Sequence, residues 1–371
     1  MAELPGIAEV VVIGGGAMGV ATAFHLTRSG VRDVALIERD LLASGSSGKS
    51  AGGVRAQFAD ELNVKIALRS IAEFRAMDDW SSGRIGFNQS GYLFLLDNQR
   101  DVSQFRQALQ LQQSLGVPSR ELCVAEVEEI MPQLVTSDLV AATFCPWDGH
   151  LTPEAVVQEY ARAASESGAT IVQNCRVEAI TTRHRRITSI ETNRGRVATG
   201  IVVCCAGAWS SEIGVMAGQE LPVHAERRFV WFTPQDGGLP SMLPLTIDFS
   251  TGFYLHREGP GLVFGGRDQH LDDLGPKIER RLPMLLELPI QTAWSGLYEM
   301  SPDHNAMVGE STLVSRFLYA TGFSGHGFQQ SPAVGEYLAE LIVGKTPTLD
   351  LSAFAVDRFS SGTRRDELFV V

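Results

Sequence analysis

Cysteine is scarce in this chain and never falls in a Cys-x-x-Cys spacing. The five residues Cys123, Cys145, Cys175, Cys204 and Cys205 are odd in number. They indicate neither a disulfide framework nor a zinc–thiolate site, and reduced thiols are expected. Cys204 and Cys205 sit side by side in the apolar run IVVCCAG, which reads as buried strand rather than as a redox pair. Long apolar runs are missing as well. No stretch reaches the length of a bilayer span, and the opening MAELPGIAEVVVIGGG lacks the basic start and small-residue cleavage site of a secretion signal, so a cytoplasmic protein is expected. No long basic run offsets the net charge of −12, which removes the electrostatic footprint of a nucleic-acid binder. There is no internal repeat, low-complexity tract or flexible linker. No Ser-His-Asp or Cys-His nucleophile arrangement stands out, and the eight histidines have no metal-ligand spacing, so no metal is expected.

What is present is ordinary globular material. With 371 residues, 44% hydrophobic and 20% charged, the chain can bury a large core as one large domain or two smaller ones. Residues 10–13 form a short β-branched run, residues 14–19 a glycine turn, residues 20–29 a helix-compatible stretch closed by Gly30, and residues 34–37 a second strand. That is a βαβ unit within about 30 residues. Residues 201–205 and 317–321 suit the same sheet, the latter followed by a helix over about 331–343. Between these pieces lie strand-like runs at residues 91–96, 229–232 and 252–255, separated by Pro and Gly turns, which read as a second, mostly antiparallel lobe. The fold class is therefore α/β (α+β overall): a Rossmann-type nucleotide domain over residues 1–83, 144–215 and 300–371, interleaved with a β-sheet substrate domain over 84–143 and 216–299.

Gly14-Gly15-Gly16-Ala17-Met18-Gly19 matches G-x-G-x-x-G directly after a strand and before a helix, the context that gives the motif meaning. Gly14 makes the tight turn, Gly16 lets the backbone approach a pyrophosphate, and Gly19 lets helix and strand pack closely. The positive helix N-terminus then faces the phosphates. Glu38, at the end of the second strand, supplies the carboxylate that accepts hydrogen bonds from a ribose; it would repel a 2′-phosphate, so NADP is disfavoured. The motif alone does not separate FAD from NAD.

Three further segments resemble the D-amino-acid oxidase superfamily of FAD-dependent oxidoreductases, in its sarcosine oxidase, glycine oxidase and proline dehydrogenase β-subunit branch. They are Ser44-Gly45-Ser46-Ser47-Gly48-Lys49-Ser50-Ala51-Gly52-Gly53-Val54-Arg55, then Ala206-Gly207-Ala208-Trp209-Ser210, and, most specific of all, Gly322-Phe323-Ser324-Gly325-His326-Gly327-Phe328-Gln329 before a helix. The resemblance spans nearly the whole chain. It implies FAD as the cofactor, held by Gly14, Gly16, Ala17, Met18, Gly19, Glu38, Arg39, Ser46, Ser47, Lys49, Ser50, Ala51, Gly52, Val177, Ala206, Gly207, Trp209, Leu297, Gly325, His326, Gly327, Phe328 and Gln329. The glycine-rich loop of the third segment also makes sense physically. Its N–H groups and helix dipole suit the ring edge where a reduced flavin gathers negative charge. Binding is expected to be non-covalent, because Gly296 stands where sarcosine oxidases carry the cysteine that tethers the ring.

The resemblance places Arg55 where sarcosine oxidases grip the substrate carboxylate, a task to which the planar guanidinium fork is suited. Tyr254 falls in the strand that roofs the substrate pocket of relatives, and His326 reads as a flavin-contacting or structural histidine more than a base. The departures also inform. Val263 stands where sarcosine oxidases use a lysine to promote reaction with oxygen. Gln329 replaces their second carboxylate-binding lysine, and Tyr298 replaces the glycine oxidases' arginine. The implied reaction is oxidation of the C–N bond of a small amino acid or secondary amine (proline, an N-methyl amino acid, a glycine-like compound or an opine) by hydride transfer to flavin N5, giving an imine. Arg55, Tyr254, Tyr298 and His326 are the candidate catalytic residues. The acceptor is oxygen, a quinone or a protein, with a dehydrogenase slightly favoured over an oxidase. Competing readings are an assembly-type flavoprotein without turnover and the flavin subunit of a hetero-oligomeric dehydrogenase; homo- or hetero-oligomers are both compatible.

Overall fold

Every residue of Val10–Ile13 is buried, as a strand covered on both faces requires, and its alternate side chains enter two different cores. Val10 and Val12 pack with the helices Ala17–Arg28, Glu61–Trp80, Pro153–Glu166 and Gly327–Ile342. Val11 and Ile13 pack with the three strands Val177–Arg183, Arg186–Thr192 and Gly195–Ala198 and the helix Ser210–Ala217. The computed structural model describes residues 2–369.

This central strand belongs to a six-stranded sheet in the order Met307–Glu310, Phe317–Thr321, Ile201–Cys204, Val10–Ile13, Val34–Ile37, Thr170–Val172. All its pairings are parallel except that of Met307–Glu310 with Phe317–Thr321. The in-register pairs Val10↔Val34 and Val10↔Ile201 bring residues distant in sequence to one carboxyl edge, where a doubly wound sheet opens its crevice. An eight-stranded sheet stands beside it, running from Thr292–Met300 through His224–Thr233, Gly261–Gly265, Tyr254–Glu258, Leu245–Asp248, Tyr92–Leu96 and Ala141–Cys145 to Arg120–Leu122. It is antiparallel apart from Leu245–Asp248 against Tyr92–Leu96.

The last long helix departs from expectation. It runs Gly327–Ile342, beginning four residues before the expected 331, because the proline at 332 does not break it. Proline lacks the N–H that would reach back to Phe328, and the Ser331 hydroxyl donates to that carbonyl instead, at 2.9 Å. The first helix likewise begins at Ala17, inside the glycine motif. Among the described residues no helix is long and apolar enough to cross a membrane, and all five cysteines are free thiols.

Candidate functional site

The site starts where Val10–Ile13 ends. The chain turns at Gly14 with φ +113°, where a Cβ would stand 2.3 Å from the Cys205 carbonyl oxygen; at Gly19 a Cβ would stand 1.8 Å from the Gly14 oxygen. Neither position admits a side chain. Gly16 is the N-cap of Ala17–Arg28 and provides no side-chain cap, and the first turn holds no acidic residue, so this helix end keeps its positive potential. Ser47 Oγ accepts from the Ala17 N–H at 2.9 Å, which fixes the next loop against the turn. The Glu38 carboxylate accepts from the Gly15 N–H at 2.6 Å and from the Asp40 N–H at 2.8 Å, and it borders the cleft.

The cleft encloses about 590 Å³, in the range of cofactor and ligand sites. Of the sequence-derived cofactor residues, Gly14, Gly16, Ala17, Met18, Glu38, Arg39, Ser46, Ser47, Lys49, Ser50, Ala51, Val177, Ala206, Gly207, Trp209, Leu297, Gly325, Gly327 and Phe328 all line it. Gly19, Gly52, His326 and Gln329 do not. Gly19 lies beneath the turn, and Gln329 is turned away to accept from the Arg55 N–H at 2.8 Å. The Arg39 guanidinium lies 3.8 Å over the Trp209 ring, and exposed Lys49 contributes a cation to the rim. A glycine turn at a helix end whose first turn holds no acidic residue, a carboxylate about 22 residues along and a nearby lysine fit the diphosphate and ribose of a dinucleotide.

The other end of the cleft is built from side chains. Tyr254 and Tyr298 both line it, and Tyr298 lies so close over Gly325 that a Cβ there would meet its ring at 2.5 Å. Arg55 does not line it. Its buried guanidinium donates to the carbonyl oxygens of Gln57 and Phe369, approaches His326 Nε2 at 3.1 Å and stacks 4.2 Å over the Phe58 ring. Among the described residues no carboxylate pairs with it, and burial lowers its affinity for its proton. His326 is buried beside this charge and held neutral, its pKa pushed well below the usual range by desolvation first and Arg55 second. Arg55 and His326 thus form a layer behind the wall rather than its face. Arg55, which the resemblance places at a substrate carboxylate, does not line the cleft.

Two residues that the sequence did not single out do border the cleft. Arg228 pairs with Glu226 at 2.8 Å, lies 5.3 Å over the Tyr298 ring, and keeps a buried Nε with no partner. Strand alternation carries the available signal: Arg228 and Val230 face the cleft, while Arg227 turns the other way to the Ser295 hydroxyl at 2.9 Å. Glu299, beside Tyr298, accepts from the Thr321 hydroxyl at 2.9 Å; burial pushes its pKa up to about 7 against the pull of that hydroxyl and of the Gly322 and Phe323 N–H groups.

The sequence model of the FAD dependent oxidoreductase family, DAO, matches residues 9–341, from the first strand to the last long helix. The chain belongs to that family. The glycine cradle described above fits the cofactor that names this family. It is 33% identical to the L-proline dehydrogenase of P. horikoshii, whose crystal structure superposes with a TM-score of 0.91 over 98% of this chain and 100% of that one. It is 30% identical to the mitochondrial sarcosine dehydrogenase of Mus musculus over 96% of this chain and 42% of the relative, so it spans less than half of that protein's length. It is also 30% identical to FAD-dependent oxidoreductase domain-containing protein 1 of Bos taurus, over 98% of this chain and 87% of the relative. The D-amino-acid oxidase resemblance drawn from the three segments is thereby established.

Gly296 lines the cleft, and a Cβ there would come within 2.8 Å of the Lys49 Cβ. Cys175 and Cys205 also border it, though neither lies in a segment that the sequence marked for flavin. The expectation of no metal rested on spacing along the chain, whereas the fold gathers His150, His256 and Glu258 with ligand atoms within 4.8 Å of one another.

Proposed function

We propose that this chain oxidises the C–N bond of a small amino acid that carries its nitrogen as a secondary amine, proline or an N-methylated amino acid, and does so as a dehydrogenase. The observation that carries the reading is Arg228: a guanidinium with a buried, unpartnered Nε at the cleft, flanked by Tyr254 and Tyr298. A carboxylate in the cleft would satisfy that donor, and a charge-assisted fork fixes orientation as well as charge. Arg55 acts through His326 from behind, as a positioning residue. The two tyrosines and Val230 close the pocket around the apolar part of the substrate and exclude water. FAD, when bound, supplies the hydride acceptor for the carbon next to nitrogen, leaving an imine that water hydrolyses.

Several features support the finer points. The division into a cofactor domain (residues 1–83, 144–215 and 300–371) and a substrate domain (84–143 and 216–299) follows the two large sheets. Non-covalent binding is favoured by the crowding at Gly296 and by the state of the cleft thiols. Burial holds the Cys205 thiol well above its ordinary pKa, and Cys175 stands at the Glu38 and Val177 end. Dehydrogenase behaviour is favoured by Val263, an apolar side chain where sarcosine oxidases place their oxygen-activating lysine, and by the likeness to the L-proline and sarcosine dehydrogenases.

Anaerobic titration with L-proline, sarcosine, glycine and an opine tests the reading. A secondary amino acid is expected to bleach the flavin absorbance, and the reduced protein to reduce an artificial dye faster than it recovers colour in air. Bleaching by dithionite but by none of the amines sinks the proposal, and rapid recovery in air with stoichiometric peroxide makes it an oxidase. Acid precipitation is expected to leave a colourless pellet; a yellow pellet excludes the non-covalent reading.

A further inference from the structure

We propose that His150, His256 and Glu258 bind one divalent transition-metal cation of the zinc type, tying the turn at Gly53 to the large sheet behind the cofactor cleft. The three side chains come from two places. His150 ends the short strand Gly149–His150 and pairs in register with Gly53, just past the cleft-lining loop. His256 and Glu258 lie two apart on Tyr254–Glu258, so they share the sheet face that Tyr254 presents.

The hydrogen bonds leave this cluster rich in lone pairs and short of protons. His256 is 1% exposed, and its Nδ1 lies 2.8 Å from the Arg257 carbonyl oxygen. A carbonyl only accepts, so Nδ1 carries the proton and Nε2 the lone pair. That Nε2 has no partner. The Ala51 carbonyl is near enough to favour a protonated ring but lies outside hydrogen-bonding geometry. The His150 ring is also buried, its centroid 4.4 Å from that of His256. His150 Nε2 faces the Asn88 amide at 3.2 Å. With the amide turned so that its oxygen accepts from Nε2–H, an orientation equivalent in shape, Nδ1 is left with the free lone pair. Glu258 is half-buried and, among the described residues, pairs with no donor or cation; its neighbour Arg257 is committed to Asp236.

Such a group is costly to bury without a cation, and a cation supplies the missing term. Two imidazoles and one carboxylate are a borderline donor set that suits zinc, with water in a fourth position on the exposed Glu258 side. Each histidine's other nitrogen has a polar partner, the Arg257 carbonyl or the Asn88 amide, the arrangement that orients metal-bound imidazoles. For tetrahedral bonds of about 2.0–2.1 Å, two ligand atoms stand about 3.4 Å apart. The ligand atoms, all within 4.8 Å of one another, reach that spacing with side-chain shifts of about 1 Å.

The test uses the flavin-loaded protein, stripped with EDTA and titrated with ZnCl₂ by calorimetry, with metal content read by mass spectrometry. About one zinc per chain and a rise in melting temperature on its addition are expected. Glu258→Gln and His256→Gln are each expected to weaken zinc binding at least about tenfold, and Asn88→Ala about ten- to a hundredfold, with FAD content unchanged. Glu258→Gln carries the test if the buried histidine variant does not fold, because the change is isosteric and partly exposed. No saturable uptake by the wild type, or uptake unaltered in Glu258→Gln, overturns the site.

Discussion

The nucleotide end of the cleft is lined by the glycine turn and the loop that follows it within residues 13–51, while the far end is lined by Arg228, Val230, Tyr254 and Tyr298 from three strands of the large sheet. At the first end the chemistry needs the absence of side chains, as at Gly14 and Gly19, and one carboxylate at a set distance. At the second it needs particular side chains, whose meeting depends on the register of an eight-stranded sheet. A site made of backbone tolerates no substitution but says nothing of substrate. A site made of side chains tolerates change in fold terms and sets specificity.

Gly14→Ala puts the strongest pressure on this contrast, and it is expected to cost about 2–4 kcal/mol through positive φ and collision with the Cys205 carbonyl. Loss of FAD and a lowered melting temperature are the readouts; a protein that keeps its flavin at the wild-type ratio breaks the comparison. Arg228→Met acts at the other end. A drop of roughly ten- to a hundredfold in kcat/KM on the best amino acid is expected, with FAD content unchanged, from losing about 1.5–3 kcal/mol of charge-assisted bonding. Arg55→Met is expected to lower melting temperature more than it raises KM, since it orphans the carbonyls of Gln57 and Phe369. The reverse pattern would return Arg55 to the substrate.

Glu299 gives a subtler test, through pH. Its folded pKa is raised to about 7 from 4.5, so the folded state favours the protonated form. That contribution is fully present below about pH 4.5 and is lost as pH rises through 7. Between pH 6 and 8 the wild type is expected to lose roughly 1 kcal/mol of stability that Glu299→Gln, already neutral, does not lose. Parallel melting profiles would remove Glu299 from the titration. Smallest is Tyr254→Phe, expected to cost roughly threefold in kcat/KM, about 0.6 kcal/mol, with the flavin spectrum unmoved.

The amino-acid sequence by itself determined the nucleotide half. The β-branched run, the glycines and Glu38 lie within one βαβ unit, and their spacing is set by local geometry alone: strand rise, turn sterics and helix dipole. The three family segments carried that legibility to Lys49, Trp209 and the Gly325 loop. Local reading failed where a side chain compensated for a residue, as Ser331 does for Pro332 in the last helix. Only the tertiary structure decided the rest. It turned Arg55 behind His326, brought Arg228 and Glu299 to the cleft, and gathered His150 to His256 across more than a hundred residues. The physical reason is that which face a strand residue presents, and what stands opposite, depends on sheet register and packing between strands distant in sequence, quantities no window of the chain contains.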